Sequence, residues 1–368
     1  MKKILDLIGI IMFFTIIVMF AIATLFFHPP KENGSKSSIR STSDAEKLIN
    51  EDFPLQNSFK ALRSGLLLTV GKTELDGTYL IKDSAIRPAD TIDDDEMFDY
   101  ADRINIFAAS HKDVSVYACV LPSASGIYSA DIPSVGSGFD QRHFIDRLYN
   151  SIDSSVATLD AYSTLYSSRE NYIFYRTAPC ITTTGAFDVY YSMIRKMGFT
   201  PRPLSDYDSE HALSGFIGSL CSELSIRQQI TPDNIELYTP KNGTSVTSAV
   251  CTHADTQTTY RSVFDRSALS SEQPLDVFLY GSNYEKVDIT TINKDAPSLL
   301  IIKTPGADPV IPFLVSHYSK VTVIDERAAD GMTLSSLADA DSYDQVLFMA
   351  DIENFDDTQG LDVKEIQW

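Results

Sequence analysis

From Gly185 to Met197 the apolar residues Ala186, Val189, Tyr190, Met193, Ile194 and Met197 recur at helical spacing. Gly198 and Pro201 supply a stop, and Thr182 to Thr184 offer hydroxyls to cap the first turn. Arg142 to Ile152, Val310 to Tyr318 and Leu334 to Leu337 carry the same kind of pattern. Between these helices lie strand-length runs: Val114 to Leu121, Tyr172 to Tyr175, Val277 to Tyr280, Leu299 to Lys303, Lys320 to Asp325 and Gln345 to Ala350. Strands alternating with helices predict βαβ units, hence an α/β fold with a parallel sheet flanked by helices. The interval from Ser205 to Glu285 departs from this, with short strands and turn signals such as Lys241-Asn242-Gly243, and reads as a loop-rich or β-rich insertion.

The pattern changes at the N-terminus. Leu7 to Phe27 carries no formal charge and is almost wholly apolar. At about 1.5 Å per helical residue it spans about 30 Å, the thickness of a bilayer core. Lys2 and Lys3 precede it, so residues 1–6 are expected in the cytoplasm, 7–27 as a single transmembrane anchor, and the rest outside. Ala21-Ile22-Ala23 offers a signal-peptide cleavage site, yet the apolar run continues through Leu25, Phe26 and Phe27, which favours an uncleaved anchor. Residues 28–50 turn to Pro, Ser, Lys, Asn and Gly without periodicity and read as a tether. Residues 51–368 form the expected extracytoplasmic globule. The expected location is therefore the cell membrane, single-pass.

A net charge of −20 argues against a nucleic-acid partner, which wants a basic face. The run Asp93-Asp94-Asp95-Glu96 reads as a solvated loop, and Asp339-x-Asp341 lacks the Gly and Glu that a calcium loop needs. Four cysteines (Cys119, Cys180, Cys221, Cys251) in a chain this long are no disulfide framework, although a Cys221–Cys251 bridge is open. Cys251-Thr252-His253-Ala254-Asp255 has no second cluster to complete a metal site and reads as a surface loop. No metal or cofactor is expected.

Ligands in open α/β sheets collect at the carboxyl ends of strands. The turn Thr304 to Pro309, after the apolar run Leu299 to Lys303, is where a nucleophile belongs; it holds Thr, Pro, Gly, Ala, Asp and Pro. In front of the Gly185 helix, where an acid and a base belong, stand Ala178, Pro179, Cys180 and Ile181.

These two stretches carry a family resemblance. Tyr175 to Pro201 resembles the signature of the DHHW proteins, an exported bacterial group related to alginate O-acetyltransferases and SGNH-type hydrolases. Its pattern runs roughly Y-R-T-D-H-H-W-T-x-x-G-A-(F/Y)-x-x-Y and ends near G-F-x-P. Tyr175, Arg176, Thr177, Thr182, Gly185, Ala186, Phe187 and Tyr190 match without a gap, as do Gly198, Phe199 and Pro201. Lys303, Ala307, Pro312, Phe313 and Leu314 match K-D-S-(F/Y)-A-N-S-F-x-P-F-L. Weaker likeness runs from about residue 50 to 357, including "DFPLQNSFKALRSGLLLTVGKTELDGTYL", Asn234 to Tyr238 and "FLYGSNY". The resemblance implies an SGNH-hydrolase-like fold.

The departures fall on the chemistry. In the family the Asp and second His of D-H-H-W and the Ser of K-D-S are taken to form a Ser-His-Asp triad for acyl transfer or ester cleavage. The corresponding residues are Ala178, Cys180 and Pro305; none acts as orienter, imidazole base or hydroxyl nucleophile. Arg176, Thr177, Cys180, Asn283 and Thr304 are left to shape a residual pocket, Asn283 near the oxyanion position if Tyr280 is a one-residue insertion. The resemblance thus implies a membrane-anchored pseudoenzyme, a non-catalytic or glycan-binding component of cell-surface polysaccharide O-acetylation. Its partners would be that polysaccharide and a membrane O-acyltransferase.

The alternatives are an active O-acyl esterase or acetyltransferase with a relocated nucleophile, and an envelope structural protein unrelated to glycans. Lys82-Asp83-Ser84 superficially copies the nucleophile motif but sits where an early hairpin is expected. Cys180 could act only if His143, His211 or His253 approached it. His317 and Asp325 read as structural. Phe187, Tyr190, Tyr191 and Tyr284 could face a sugar or fill the core.

Overall fold

The apolar run predicted at Leu299 to Lys303 is an inner strand of an eight-stranded sheet in the computed structural model of this chain, which describes residues 14–15, 18, 56–133, 138–226, 229–243, 245–254 and 256–363. In chain order the strands are β1 (Glu74–Leu75), β2 (Thr78–Ile81), β3 (Ser84–Ile86), β4 (Ser115–Leu121), β5 (Ala157–Leu159), β6 (Tyr207–Phe216) and β7 (Asp233–Pro240). They continue with β8 (Val246–His253), β9 (Thr256–Tyr260), β10 (Lys286–Thr291), β11 (Ser298–Lys303), β12 (Lys320–Asp325) and β13 (Gln345–Asp351). The large sheet runs β5-β4-β13-β11-β12-β10-β8-β9.

Five strands, β5 to β12 in that spatial order, pair in parallel; four of them were predicted, and the short edge strand β5 was not. The other three correct the expectation of a wholly parallel sheet: β10 pairs antiparallel to β12, β8 to β10, and β9 to β8. The sheet is mixed because the Ser205 to Glu285 interval does more than decorate it. It gives β8 and β9 to the sheet edge and folds β6 and β7 into a separate antiparallel ribbon. Burial separates the two regimes. Leu299 and Ile301 of β11 pack on one face with Leu347 and Met349 of β13, and Leu300 and Ile302 on the other with Val346 and Phe348. Strands covered on both faces read as continuous apolar runs, whereas the antiparallel β8 and β10 alternate buried and part-exposed residues and lack that signal.

Helices α1 (Gln56–Thr69), α2 (Asp94–Ser110), α3 (Gln141–Ser151), α4 (Ala161–Ser167) and α5 (Thr183–Lys196) precede the β6 ribbon. One sheet face is covered by α5 through Ala186, Val189, Tyr190 and Met193, and the other by α2 through Met97, Tyr100, Ile104 and Phe107. Helix α2 replaces the solvated loop expected at Asp93 to Glu96. Asp93 is its N-cap, accepting from Glu96 N–H at 2.9 Å, and Asp94, Asp95 and Glu96 form its acidic first turn. Carboxylates there complement the exposed N–H groups and the helix dipole.

Three other expectations change. Tyr172 to Tyr175 is no strand; only a single bridge joins Phe174 to Ile181. Val277 to Tyr280 is broken because Leu279 and Tyr280 take positive φ (49° and 68°), which no strand accommodates. Val310 to Tyr318 is a one-turn helix, Ile311–Leu314, running into a 3-10 turn, Val315–His317.

Lys82 and Asp83 are the two left-handed residues of the β2–β3 turn, so Lys82-Asp83-Ser84 is a hairpin, as expected. The four cysteines are free thiols, and the Cys221–Cys251 bridge is not formed. By its contacts the chain divides into two units, residues 1–72 with 224–226, and 73–223 with 227–368. In the first, Ser64 Oγ on α1 donates to the Leu224 carbonyl at 2.8 Å. The expected anchor at 7–27 and tether at 28–50 lie outside the described residues but for Phe14, Thr15 and Val18, and no described helix is long and apolar enough to cross a membrane.

Candidate functional site

The carboxyl ends of β4, β13 and β11 meet the loop before α5 around a void of about 20 Å³, lined by Ser123, Pro179, Cys180, Gly306, Asp351 and Glu353 among others. The two stretches singled out in the sequence therefore converge at one edge of the parallel strands.

The loop is built by local hydrogen bonding. Tyr175 N–H donates to the Cys180 carbonyl at 3.0 Å and Thr182 N–H to that of Ile173 at 2.9 Å, folding residues 175–180 into a closed turn. Asp233, fully buried at the start of β7, holds its inner side. It accepts from Arg176 N–H and Thr177 N–H at 2.9 Å, and from the Thr177 and Tyr172 hydroxyls at 2.5 Å. Gly185 is required one turn into α5, since a Cβ there would lie 2.5 Å from the Ile173 carbonyl oxygen. Thr182 caps the helix, accepting from Gly185 N–H at 3.3 Å.

The turn after β11 has spent its donors. Pro305 has no N–H. Gly306 N–H donates to Asp351 Oδ2 at 2.8 Å, Ala307 N–H to the Thr304 carbonyl, and Asp308 N–H to the Pro305 carbonyl, both at 3.2 Å. Thr304 Oγ1 donates to Asp351 Oδ2 at 2.6 Å and accepts from Asp351 N–H at 2.8 Å. The Asp351 carboxylate fills the space a side chain at position 306 would take, because a Cβ there would sit 2.4 Å from its Cγ. Thus a carboxylate occupies the backbone donor that an oxyanion would need.

Cys180 faces the wrong charges for a nucleophile. Burial pushes its thiol up to about 12, and Asp351, Glu353 and Asp308 push the same way. No histidine reaches it among the described residues. His111 pairs with Asp341, His211 with Glu236, His253 with Glu285, and His143 opens α3. His317 Nε2 lies 2.8 Å from Tyr190 Oη, which also accepts from Arg202 N–H at 2.8 Å. Burial holds that imidazole down to about 4.

Of the other sequence candidates, Ala178 leaves the void and packs in an apolar cluster with Tyr175, Phe216 and Ile235. Arg176 and Thr177 are bound to Asp233, away from the turn. Asn283 is exposed, its Nδ2 donating to the Tyr280 carbonyl at 2.6 Å within its own loop. Only Cys180 and Thr304 of the proposed residual pocket reach the turn or the void beside it. Phe187 and Tyr190 are core, both ringed on Phe313, and Tyr284 meets Tyr260 hydroxyl to hydroxyl at 3.2 Å.

Sequence reading missed Asp351, Glu353 and Ser123. Asp351 ends β13, Glu353 lies two residues beyond it and Ser123 two beyond β4, so their signal was position at a strand's carboxyl end. Burial raises Glu353 to about 7, against a hydrogen bond from Ser123. Ser123 Oγ also accepts from Gln141 Nε2 at 2.8 Å. Lys303, buried and held protonated, bridges Asp308 at 2.5 Å and Asp325, and Ser282 Oγ donates to Asp325 at 2.8 Å. Asp325 is structural, as expected.

Beside the void lies a wider cleft of about 270 Å³, lined by Tyr128, Tyr172, Phe174 and Tyr175 together with Lys82 and Arg176. Phe174 borders both. The Arg176 guanidinium sits 4.5 Å above the Tyr172 ring.

Open α/β sheets gather ligands at the carboxyl ends of their strands, and here a loop and a strand-following turn meet at that edge. The DHHW protein family model matches residues 51–324, and the chain belongs to that family. Among solved structures it is similar to a DHHW family protein from Eubacterium siraeum, at 22% identity over 78% of this chain and 94% of that one, with a TM-score of 0.62. Bacillus cereus PatB1, solved with a sulfonyl adduct, matches at 15% identity over 81% and 99%, with a TM-score of 0.66. The O-acetyltransferase domain of Pseudomonas putida AlgJ matches at 13% over 74% and 86%, with a TM-score of 0.42. No curated protein sequence matches the chain.

Proposed function

We propose that this DHHW protein is a membrane-anchored, extracytoplasmic pseudoenzyme, a non-catalytic, glycan-binding component of cell-surface polysaccharide O-acetylation. One observation carries the loss of catalysis: the turn has Pro305 at the nucleophile position and gives its Gly306 N–H to Asp351. Removing one triad member costs several orders of magnitude, and members acting as a unit do not replace one another. The binding role is supported by the cleft beside the dead turn, where the part-exposed Tyr128 and Tyr172 stand with the polar groups of Lys82, Asn171 and Arg176. The O-acetylation setting is supported by family membership.

A second reading, a relocated nucleophile, is favoured by Ser123, whose hydroxyl meets a carboxyl with a pKa of about 7, suited to a general base. One experiment separates the two. The purified protein is expected to cleave acetyl esters no faster than its Cys180→Ala and Ser123→Ala variants, and to bind surface polysaccharide about tenfold more tightly than Tyr128→Ala, the loss of one stacked ring. Turnover abolished by either of the first two substitutions would name that residue the nucleophile. Binding unchanged in Tyr128→Ala would remove the cleft from the proposal.

A further inference from the structure

We propose that helix α1 lies flat on the anionic bilayer surface and docks the protein there through an apolar stripe, an inference that rests on the membrane-anchor reading. Leu62 and Leu66 are each 59% exposed and Val70, just beyond the helix, is 76% exposed. With Phe59, itself 45% exposed, they fall within one narrow arc at about 100° per residue. Large apolar side chains spaced like this on a surface mark an interaction face.

The charge around the stripe selects the occupant. Residues 56–73 contain Lys60, Arg63 and Lys72 and no acid, in a chain of net charge −20. An apolar stripe whose charged neighbours within residues 56–73 are all basic suits a headgroup boundary, where rings and leucines enter the acyl region and long basic side chains reach toward the phosphates. Each basic residue near an anionic surface contributes about 1 kcal/mol. The apolar run Leu7 to Phe27 precedes the helix, so an anchored chain presents α1 to the bilayer at high local concentration. The buried side of α1 is accounted for by Ser64, bonded to the Leu224 carbonyl.

The test uses the full chain in anionic vesicles with acyl-brominated lipid. The sole tryptophan is removed as Trp368→Phe, and single probes are placed as Leu66→Trp on the stripe and Ala61→Trp on the far, exposed side. The proposal expects the emission of the first to fall at least twofold and the second to stay unchanged. If neither is quenched while the protein still floats with carbonate-washed vesicles, the docking proposal is overturned and the anchor stands. Concentration-dependent burial of the Leu66→Trp probe without quenching also overturns it and names a second copy as the occupant. Quenching with flotation lost in carbonate keeps the docked helix and removes the anchor. No flotation at all removes both.

Discussion

Cys180 tests the site at its smallest scale. Its thiol is raised from 9.0 to about 12 by burial first and by Asp351, Glu353 and Asp308 after it. At pH 8 the thiolate fraction falls about a thousandfold, and the greater intrinsic reactivity of a basic thiolate recovers part of that, leaving a net loss of about 50-fold. Iodoacetamide should therefore modify Cys180 in the folded protein at least about 50-fold more slowly than in the urea-unfolded chain, as followed by peptide mass spectrometry. Fast modification of Cys180 alone would revive the thiol as a nucleophile. The sequence made the loss of Ala178, Cys180 and Pro305 readable, because motif positions are counted along the chain. It hid Asp351 and Asp233, which act on the turn and the loop from far away in sequence.

At the scale of elements, the buried parallel strands and α5 were legible because burial on both faces, or along one stripe, writes itself into the apolar pattern. Helix α2 was not, although it covers much of one sheet face. Its start is written in acids, which read equally well as a solvated loop until Asp93 is seen capping Glu96. That cap gives a direct check: Asp93→Ala should lower stability by about 1 kcal/mol in urea unfolding, whereas an unstructured acidic loop would give no change. The Val277 to Tyr280 run failed for a different reason. Its composition suits a strand, but the following chain must turn to bring Ser282 onto Asp325, and Leu279 and Tyr280 take left-handed backbone to do so.

At the scale of the whole molecule, buried titrating groups pull in opposite directions. Burial raises Glu353 from 4.5 to about 7, so the folded state keeps a proton that the unfolded chain releases. That contribution is full below about pH 4.5 and is lost as pH rises through 7. Burial raises Asp308 and Glu326 the same way, against the pull of Lys303 and Arg103. His317 works with the reverse sign: lowered from 6.5 to about 4, it contributes above pH 6.5 and loses that contribution as pH falls toward 4. Between pH 8 and 6.5 only the acids change, and the net charge of −20 also relaxes as they protonate. The melting temperature should thus rise as pH is lowered from 8, most steeply below pH 7 where the three acids are protonated only in the folded state. It should keep rising toward pH 5, because the single His317 offsets only one of the three. Glu353→Gln should flatten the rise, and His317→Gln should steepen it below pH 6.5. A melting temperature that falls on acidification from pH 8 to 6 would mean that the three acids are ionised in the folded state. The Glu353 carboxyl beside Ser123 would then be a permanent anion, and the void would hold two negative charges against any acyl group.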